Sequence, residues 1–375
     1  MVKKLVFVVS TPITASSFLL NHFTKLSERY DIYLIANFSK ESIMNNSFGK
    51  VTLIDAPIER KVSIGNDLKG LFALCKIFKE HDFHIVHSIT PKAGLLAMLA
   101  STFTGKKNRY HTFTGQVWVN YKGLKRHFFK ILDKIIAACA TKVMVDSPSQ
   151  KDFLVKEKVV SRDNSYVLGN GSISGVDINK FNSSSELKTK NRIKLGLLNS
   201  DFVFLFLGRI NKDKGILELV KAFKQLSLEK KGEQLKLLLV GPDEEAILHD
   251  INDDNIIKQG FTSSPEKYMA CADVFCLPSY REGFGSVIIE AASAGVPCIA
   301  SNIYGITDAI DNGVTGMLHP VKDEVAIMNC MKLMIENKEL KESMGKAART
   351  RAVQYFSQDI ITDALDEFYL ENSLD

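Results

Sequence analysis

Short runs of Val, Ile, Leu and Phe alternate along the chain with longer stretches whose apolar residues recur every three or four positions. The runs at 4–9, 32–36, 51–55, 84–87, 109–112, 142–145 and 165–168 predict strands. The stretches 16–28, 67–80, 92–101, 122–139 and 149–156 predict helices between them. Glycine and polar residues interrupt the pattern from Gly169 to Asp177, with Asn and Ser continuing to about 185. The alternation then resumes, with strands at 202–207, 235–240, 255–258, 273–277 and 296–300. Helices are predicted at 215–228, 264–271, 286–294, 322–336 and 338–353, and Ser357 opens a last one. Strand–helix alternation of this kind predicts parallel sheets covered on both faces. The expected architecture is α/β, two Rossmann-like doubly wound domains facing each other across a cleft. Residues 1–175 form the first domain and 176–356 the second, and a helix in 357–375 packs back toward the first. Ligands of such sheets bind beyond the carboxyl ends of the strands.

Composition narrows the class. Of the 375 residues, 45% are hydrophobic and 24% charged, which excludes disordered and fibrous chains. No apolar run approaches the roughly 18–20 residues of a membrane span. The start, Lys3-Lys4 followed by Leu5 to Val9, mimics a signal peptide but stops at Ser10-Thr11-Pro12, so it reads as a buried strand of a cytoplasmic protein. Cys75, Cys139, Cys271, Cys276, Cys298 and Cys330 include no CxxC pair and read as reduced, buried thiols rather than zinc ligands.

Charge is unevenly placed. Residues 1–170 hold 25 Lys and Arg against 13 Asp and Glu, while the remainder holds 23 against 30. A basic half implies an anionic partner, such as a membrane surface or a phosphorylated substrate. Nucleic acid is disfavoured, because no zinc finger, RNP-type aromatic run or Arg-rich segment is present. The charge concentrates in 121–136, where Leu124, Phe128, Ile131 and Ile135 recur at helical spacing beside Lys122, Lys125, Arg126, Lys130 and Lys134. Two readings are open: a core-packed helix with a solvated basic face, or a helix lying on anionic head groups with Phe128 and Phe129.

Two loops carry candidate chemistry. Gly208-Arg209-Ile210-Asn211-Lys212-Asp213-Lys214-Gly215 joins a very apolar strand to a helix, so Arg209 and Lys214 lie at the ligand edge, where two cations suit a diphosphate. Glu282-Gly283-Phe284-Gly285-Ser286 follows the strand 273–277. Its glycines permit close backbone approach, and the helix opened by Ser286 offers free N–H groups to an anion. Glu290 interrupts the apolar run Val287-Ile288-Ile289 and Ala291-Ala292, so its carboxylate needs a partner.

A glutamate, seven residues and a second glutamate, with Glu-Gly-Phe-Gly between, resembles the retaining glycosyltransferases of family four, of GT-B fold. The loop Gly208–Gly215 matches the same family, as do Asn170-Gly171…Gly175-Val176-Asp177…Phe181 and Gly295-Val296-Pro297-Cys298-Ile299-Ala300-Ser301. The resemblance implies that Arg209 and Lys214 hold the donor diphosphate, that Glu290 binds the ribose hydroxyls and that Glu282 contacts the donor sugar. The backbone of Phe284, Gly285, Ser286 and Val287 would line phosphate and sugar, and His111 would stand near the sugar and the β-phosphate. The first loop departs from the family's Gly-Gly pair, reading Ser10-Thr11-Pro12.

The segments His87–Leu95, His111–Trp118 and Gly171–Asp177 look like a bacterial subgroup that extends undecaprenyl-diphosphate-linked sugars for O-antigen, capsule or protein glycans. This implies a UDP-sugar donor, with N-acetylhexosamine and notably GalNAc favoured, and a lipid-diphosphate-linked saccharide acceptor at the cytoplasmic face of the inner membrane. Arg60, Lys61 and Lys92 are candidates for its phosphates, with Lys125, Arg126, Phe128 and Phe129 toward the membrane. The expected cofactor is none. Asn252-Asp253-Asp254 is not an Asp-x-Asp metal clamp, and the cations and helix dipole already supply a positive field. Rival readings are a UDP-sugar epimerase or hydrolase on the same fold, a non-catalytic nucleotide-sugar-binding module, and an NAD-dependent enzyme, for which the GxGxxxG spacing at Gly169–Gly175 is wrong.

Overall fold

A computed structural model describes residues 2–39, 48–59 and 63–374. The chain opens with β1 (Lys3–Val8), α1 (Pro12–Phe18), α2 (Leu20–Leu26), β2 (Tyr30–Ala36) and β3 (Thr52–Asp55). It continues through α3 (Ile64–Glu80), β4 (Ile85–Ile89), α4 (Pro91–Phe103), β5 (Asn108–Phe113), α5 (Gly123–Cys139), β6 (Lys142–Val145), α6 (Pro148–Lys156) and β7 (Ser165–Val167). The second series runs α7 (Ser185–Lys194), β8 (Phe202–Leu207), α8 (Ile216–Glu229), β9 (Leu235–Val240), β10 (Ile256–Gln259), α9 (Pro265–Met269) and β11 (Val274–Leu277). It ends with α10 (Ser286–Ser293), β12 (Cys298–Ser301), α11 (Ile306–Ala309), β13 (Gly316–His319), α12 (Glu324–Glu336), α13 (Lys338–Tyr355) and α14 (Gln358–Asn372).

These elements make two units, one of Met1–Ser174 with Gln358–Asp375 and one of Gly175–Ser357. Among the described residues, the first unit holds a seven-stranded parallel sheet of order β3-β2-β1-β4-β5-β6-β7. Its order reverses between β1 and β4. The second unit holds a six-stranded parallel sheet of order β10-β9-β8-β11-β12-β13, which reverses between β8 and β11. Those two reversals are the places where a doubly wound sheet opens a crevice for ligands.

In the first unit, alternate residues of β1 serve opposite faces. Val6 and Val8 join a core with Leu74, Phe78, Leu96 and Ile136 from α3, α4 and α5. Leu5 and Phe7 join another with Phe23 of α2 and Ile361, Leu365 and Tyr369 of α14. Helix α14 is further held by two buried histidines. His22 bonds Thr362 Oγ1 at 2.9 Å and the Ile173 carbonyl at 2.8 Å, and His87 bonds the Tyr369 hydroxyl and Thr112 Oγ1. Burial pushes the His22 pKa down to about 4 and that of His87 to about 3, so both rings pack as neutral groups.

Besides the four-residue α11, which the sequence reading does not contain, three elements differ from it. The helix expected at 16–28 is two short ones, α1 and α2, which meet at Leu19. The linker expected to stay polar to 185 gives way at once to α7, which Ser184 caps by accepting from the Leu187 N–H. Helix α7 is fixed by charge rather than by an apolar stripe. Buried Arg192 donates to the carbonyls of Cys271, Leu198, Asn199 and Asp201 and to Asp273 Oδ2 at 2.7 Å. The edge strand β13 is four residues long and pairs with β12, too brief for periodicity to reveal.

On α5 the apolar stripe is turned outward, against the core-packed one of the two readings. Leu124, Phe128 and Ile131 are exposed, and Asp133 and Ile136 face inward instead. The indole of Trp118 donates to Asp133 at 2.7 Å, which lets a carboxyl lie beneath the helix. Burial raises the pKa of Asp133 to about 7.

Backbone packs on backbone at the carboxyl edge of the second sheet. A Cβ on Gly241 would overlap the Gly208 carbonyl, and a Cβ on Gly215 would overlap the Pro278 carbonyl. Gly241 (φ +142) and Gly215 (φ +68) also have backbone conformations that side chains disfavour. Gly241→Ala should therefore destabilise the chain by about 2–4 kcal/mol, read as a lower denaturation midpoint with an unchanged slope. An unaltered midpoint would mean that the β8 and β9 loops do not depend on this contact.

Candidate active site

The loops after β8 and β11 leave adjacent strands at the point where the second sheet reverses. The β8 loop is held by backbone bonds to the β9 loop: Gly208 N donates to Val240 O at 2.9 Å, Ile210 N to Pro242 O at 2.9 Å, and Glu244 N to Ile210 O at 3.0 Å. This pairing sets Arg209 and Asn211 beside Glu244. Arg209 Nη1 lies 3.2 Å from Glu244 Oε2, and Asn211 Nδ2 lies 2.8 Å from the same oxygen. Both Arg209 and Glu244 are exposed, so the pair is a weak tether that a stronger anion could displace.

The β8 loop closes in a single 3₁₀ turn, Lys212–Lys214, before Gly215 opens α8. The β11 loop is tied to that turn, because Tyr280 N donates to Asp213 O at 2.8 Å and Arg281 Nε lies 3.5 Å from Asp213 Oδ2. The result brings Lys214 Nζ onto Glu282 Oε1, with both side chains largely enclosed. The two sequence motifs therefore meet in one ion pair. Enclosure strengthens such a pair relative to one in open water.

Beneath it, Gly285 (φ +83) caps the eight-residue α10. Gly305 packs so closely under Gly283 that a Cβ there would overlap the Gly283 carbonyl. The Phe284 ring is buried against Phe356, with centroids 5.2 Å apart, so only its backbone can meet a ligand. Ser286 and Val287 are half-buried in the first turn of α10, where N–H groups lack partners within the helix. Glu290 lies one turn further in. Enclosure pushes its pKa up to about 7, against the opposing pull of Lys180 and with added push from Glu266. Lys180 Nζ stands 3.8 Å from Glu266 Oε2. Neither residue was singled out from the sequence, since a Lys in a polar linker and a Glu on a five-residue helix carry no motif.

In the first unit, His111 lies in β5 in register with Ser88 of β4. Ser88 Oγ bonds His111 Nδ1 at 2.8 Å, and Nε2 is buried without a polar partner among the described residues. Burial pushes its pKa down to about 3, so the ring is neutral. A Cβ on Gly94 would overlap the ring, so α4 must carry glycine there. At the reversal of this sheet, Ser10 Oγ and Thr90 Oγ1 are 3.0 Å apart, and Thr90 has φ +73. A non-glycine residue in that conformation is strained, as residues at ligand sites often are.

Among the residues expected near an acceptor, Arg60 and Lys61 lie outside the described residues. Lys92 is committed to Asp67, at 2.5 Å from both carboxylate oxygens. Arg126, expected to face a membrane, instead bonds Glu157 Oε2 at 3.0 Å and covers the Trp118 ring. Phe129, expected there too, is half-buried against the core and Tyr121. Lys125 lies over the Tyr121 ring at 3.9 Å, and Phe128 is exposed.

Comparison with known proteins bears on the family and the fold. Residues 188–351 match the family described as glycosyl transferases group 1, and residues 15–172 match glycosyltransferase family 4. A capsular polysaccharide biosynthesis glycosyltransferase, CapM of Staphylococcus aureus, is 32% identical over 90% of this chain and 89% of its own. The UDP-Gal:alpha-D-GlcNAc-diphosphoundecaprenol alpha-1,3-galactosyltransferase of Escherichia coli is 29% identical over 83% of this chain and 81% of its own. Among solved structures, Anabaena HepE in complex with UDP and glucose superposes with a TM-score of 0.81 at 18% identity, covering 99% of this chain and 100% of that one. That likeness shows the fold, which is the GT-B class of two parallel-sheet α/β domains. The chain belongs to the group 1 and family 4 glycosyltransferases.

Proposed function

We propose that the chain is a retaining hexosyltransferase that takes a sugar from UDP, an N-acetylhexosamine and most favourably GalNAc, and adds it to an undecaprenyl-diphosphate-linked saccharide during surface-glycan assembly. The observation that carries this reading is the meeting of Lys214 and Glu282 across two loops, of which one also carries Arg209 and the other opens α10. That arrangement supplies cations and N–H groups for a diphosphate and a carboxylate for sugar hydroxyls within one loop cluster. The Escherichia coli relative's name pairs a UDP-sugar with a sugar on diphosphoundecaprenol, which supports both the donor class and the acceptor class.

In this reaction the bond between the anomeric carbon and the β-phosphate oxygen breaks, and its electron pair leaves with UDP. The acceptor hydroxyl oxygen bonds the same face of that carbon, and its proton passes to the departing phosphate oxygen. Negative charge grows on the diphosphate, where the α10 N–H groups are fixed and where Arg209 and Lys214 exchange their carboxylate partners for phosphate oxygens. Binding the donor releases Lys214 from Glu282, freeing the carboxylate for the sugar's hydroxyls. Glu290 accepts from the ribose. His111, buried and neutral, offers Nε2 as a hydrogen-bonding group without adding charge. No step calls for a metal ion, because the protein's own cations serve the leaving group.

The test is UDP release from a panel of UDP-sugars, with and without an undecaprenyl-diphosphate-linked monosaccharide, in EDTA. Acceptor-dependent release from a UDP-N-acetylhexosamine is expected at full rate in EDTA. Arg209→Ala should lower it about 10²-fold or more. Release without acceptor would replace the transferase reading with hydrolysis or epimerisation, and loss of activity in EDTA would overturn the metal-free scheme. A second outcome concerns Glu290, whose pKa in the folded chain is about 7 against an ordinary 4.5. Between those values the folded chain keeps a proton that the unfolded chain has lost, so this group's contribution to stability falls as pH rises through the window. Glu290→Gln should therefore gain thermal stability relative to the wild type as pH goes from about 5 to 8. Parallel melting curves across that range would place the raised pKa elsewhere.

A further inference from the structure

We propose that Asp133 is a positioning residue for the transfer: through Trp118 it fixes the loop that follows β5, and that loop presents the Thr114 hydroxyl to the sugar hydroxyls of the acceptor. This role rests on the function proposed above. In a parallel sheet the loop after a strand lies at the carboxyl edge, so the segment from Thr114 to Tyr121 stands beside the β4 loop that flanks the reversal of the first sheet. Thr114 is the first residue past β5 and is half-buried, and its hydroxyl makes no hydrogen bond among the described residues. Its carbonyl is turned inward, where Gln116 Nε2 donates to it at 2.9 Å and Gln150 Nε2 at 2.8 Å. Both glutamines are buried, and Gln150 Nε2 also reaches Gln116 Oε1 at 3.1 Å. The start of the loop is therefore held from α6.

The end of the loop is held from α5. Val117–Asn120 form one 3₁₀ turn that packs on that helix. Trp118, the chain's single tryptophan, is fully buried and stacks on Phe153 of α6 with centroids 5.4 Å apart. Arg126 and Lys130 of α5 stand over its ring, and both are anchored by Glu157. Contacts to the flat of a ring leave it free to turn in its own plane. The bond from the indole N–H to Asp133 Oδ2 at 2.7 Å does not, because a hydrogen bond is directional. Stability alone does not call for a carboxyl here. An apolar pair of the same shape is nearly neutral against a buried hydrogen bond, and enclosing a carboxylate costs free energy. What the bond supplies is orientation of the indole, and with it of a short loop whose other end is Thr114. Asp133 is itself enclosed, so it reaches the edge only through Trp118.

Initial rates of UDP release by the full chain test it, with the UDP-sugar that the panel selects as donor and the undecaprenyl-diphosphate-linked monosaccharide varied. Trp118→Phe with Asp133→Leu removes both partners of the bond and leaves no buried polar group alone, so the double variant should melt close to the wild type. Its KM for the acceptor should rise about tenfold or more, because a displacement of about 1 Å spoils alignment, while the dissociation constant of UDP stays unchanged. Asp133→Asn keeps an oxygen for the indole and should restore both the wild-type KM and the wild-type tryptophan emission. Thr114→Val, with a side chain of the same shape, should raise the acceptor KM as the double variant does. Wild-type acceptor kinetics in the double variant or in Thr114→Val would overturn the proposal. So would an equal loss of acceptor and UDP affinity, or a double variant that melts far below the wild type, which would make the bond an element of stability only. Absence of acceptor-dependent release by the wild type would remove the proposed function and this role together, whereas wild-type kinetics in the variants would remove this role alone.

Discussion

Close approach of backbone to backbone is the constraint on which the second unit's chemistry depends. The loops after β8, β9, β11 and β12 touch through Gly208 and Gly241, Gly215 and Pro278, and Gly283 and Gly305. At Gly215, Gly241 and Gly305 no side chain fits. Because these loops are locked together, Arg209, Lys214 and Glu282 are delivered to one place by parts of the chain about seventy residues apart. Without that contact the same residues would be solvated charges on separate turns.

Electrostatics in the two units are handled in opposite ways. In the second unit, cations and carboxylates neutralise one another across the loops: Arg209 with Glu244 and Lys214 with Glu282. These pairs keep the edge charged yet balanced. The deep carboxyl of Glu290 holds its proton to about pH 7 because enclosure opposes its charge. In the first unit, His22, His87 and His111 are buried as neutral rings and act through hydrogen bonds alone. Two of them fasten α14, so the end of the chain completes the first unit's core rather than the second's.

The fold was legible where burial writes itself as periodicity. The continuous apolar runs of β1 and β8 and the Gly-rich loop before α10 could be read directly, since a buried parallel strand must be apolar on both faces. What escaped were features held by polar geometry. Helix α7 depends on Arg192 reaching four carbonyls, and its sequence looks like linker. Helix α5 shows helical spacing, but spacing does not say which stripe faces in. The Trp118–Asp133 bond goes with the inward face being the other one. At the site, the motif residues were visible as chemistry, whereas Glu244, Asp213 and Lys180 become visible only once folding brings them near.

The central claim is that the edge between β8 and β11 binds the diphosphate of a nucleotide sugar. Calorimetric titration of UDP into the wild type and into Arg209→Ala and Glu290→Gln tests it without reference to any acceptor. At pH 8, where the Glu290 carboxyl is ionised, the account predicts saturable one-to-one binding of UDP, weakened by about tenfold or more in each variant, as loss of a charge-assisted hydrogen bond implies. Absence of UDP binding, or equal affinity in all three proteins, would contradict it.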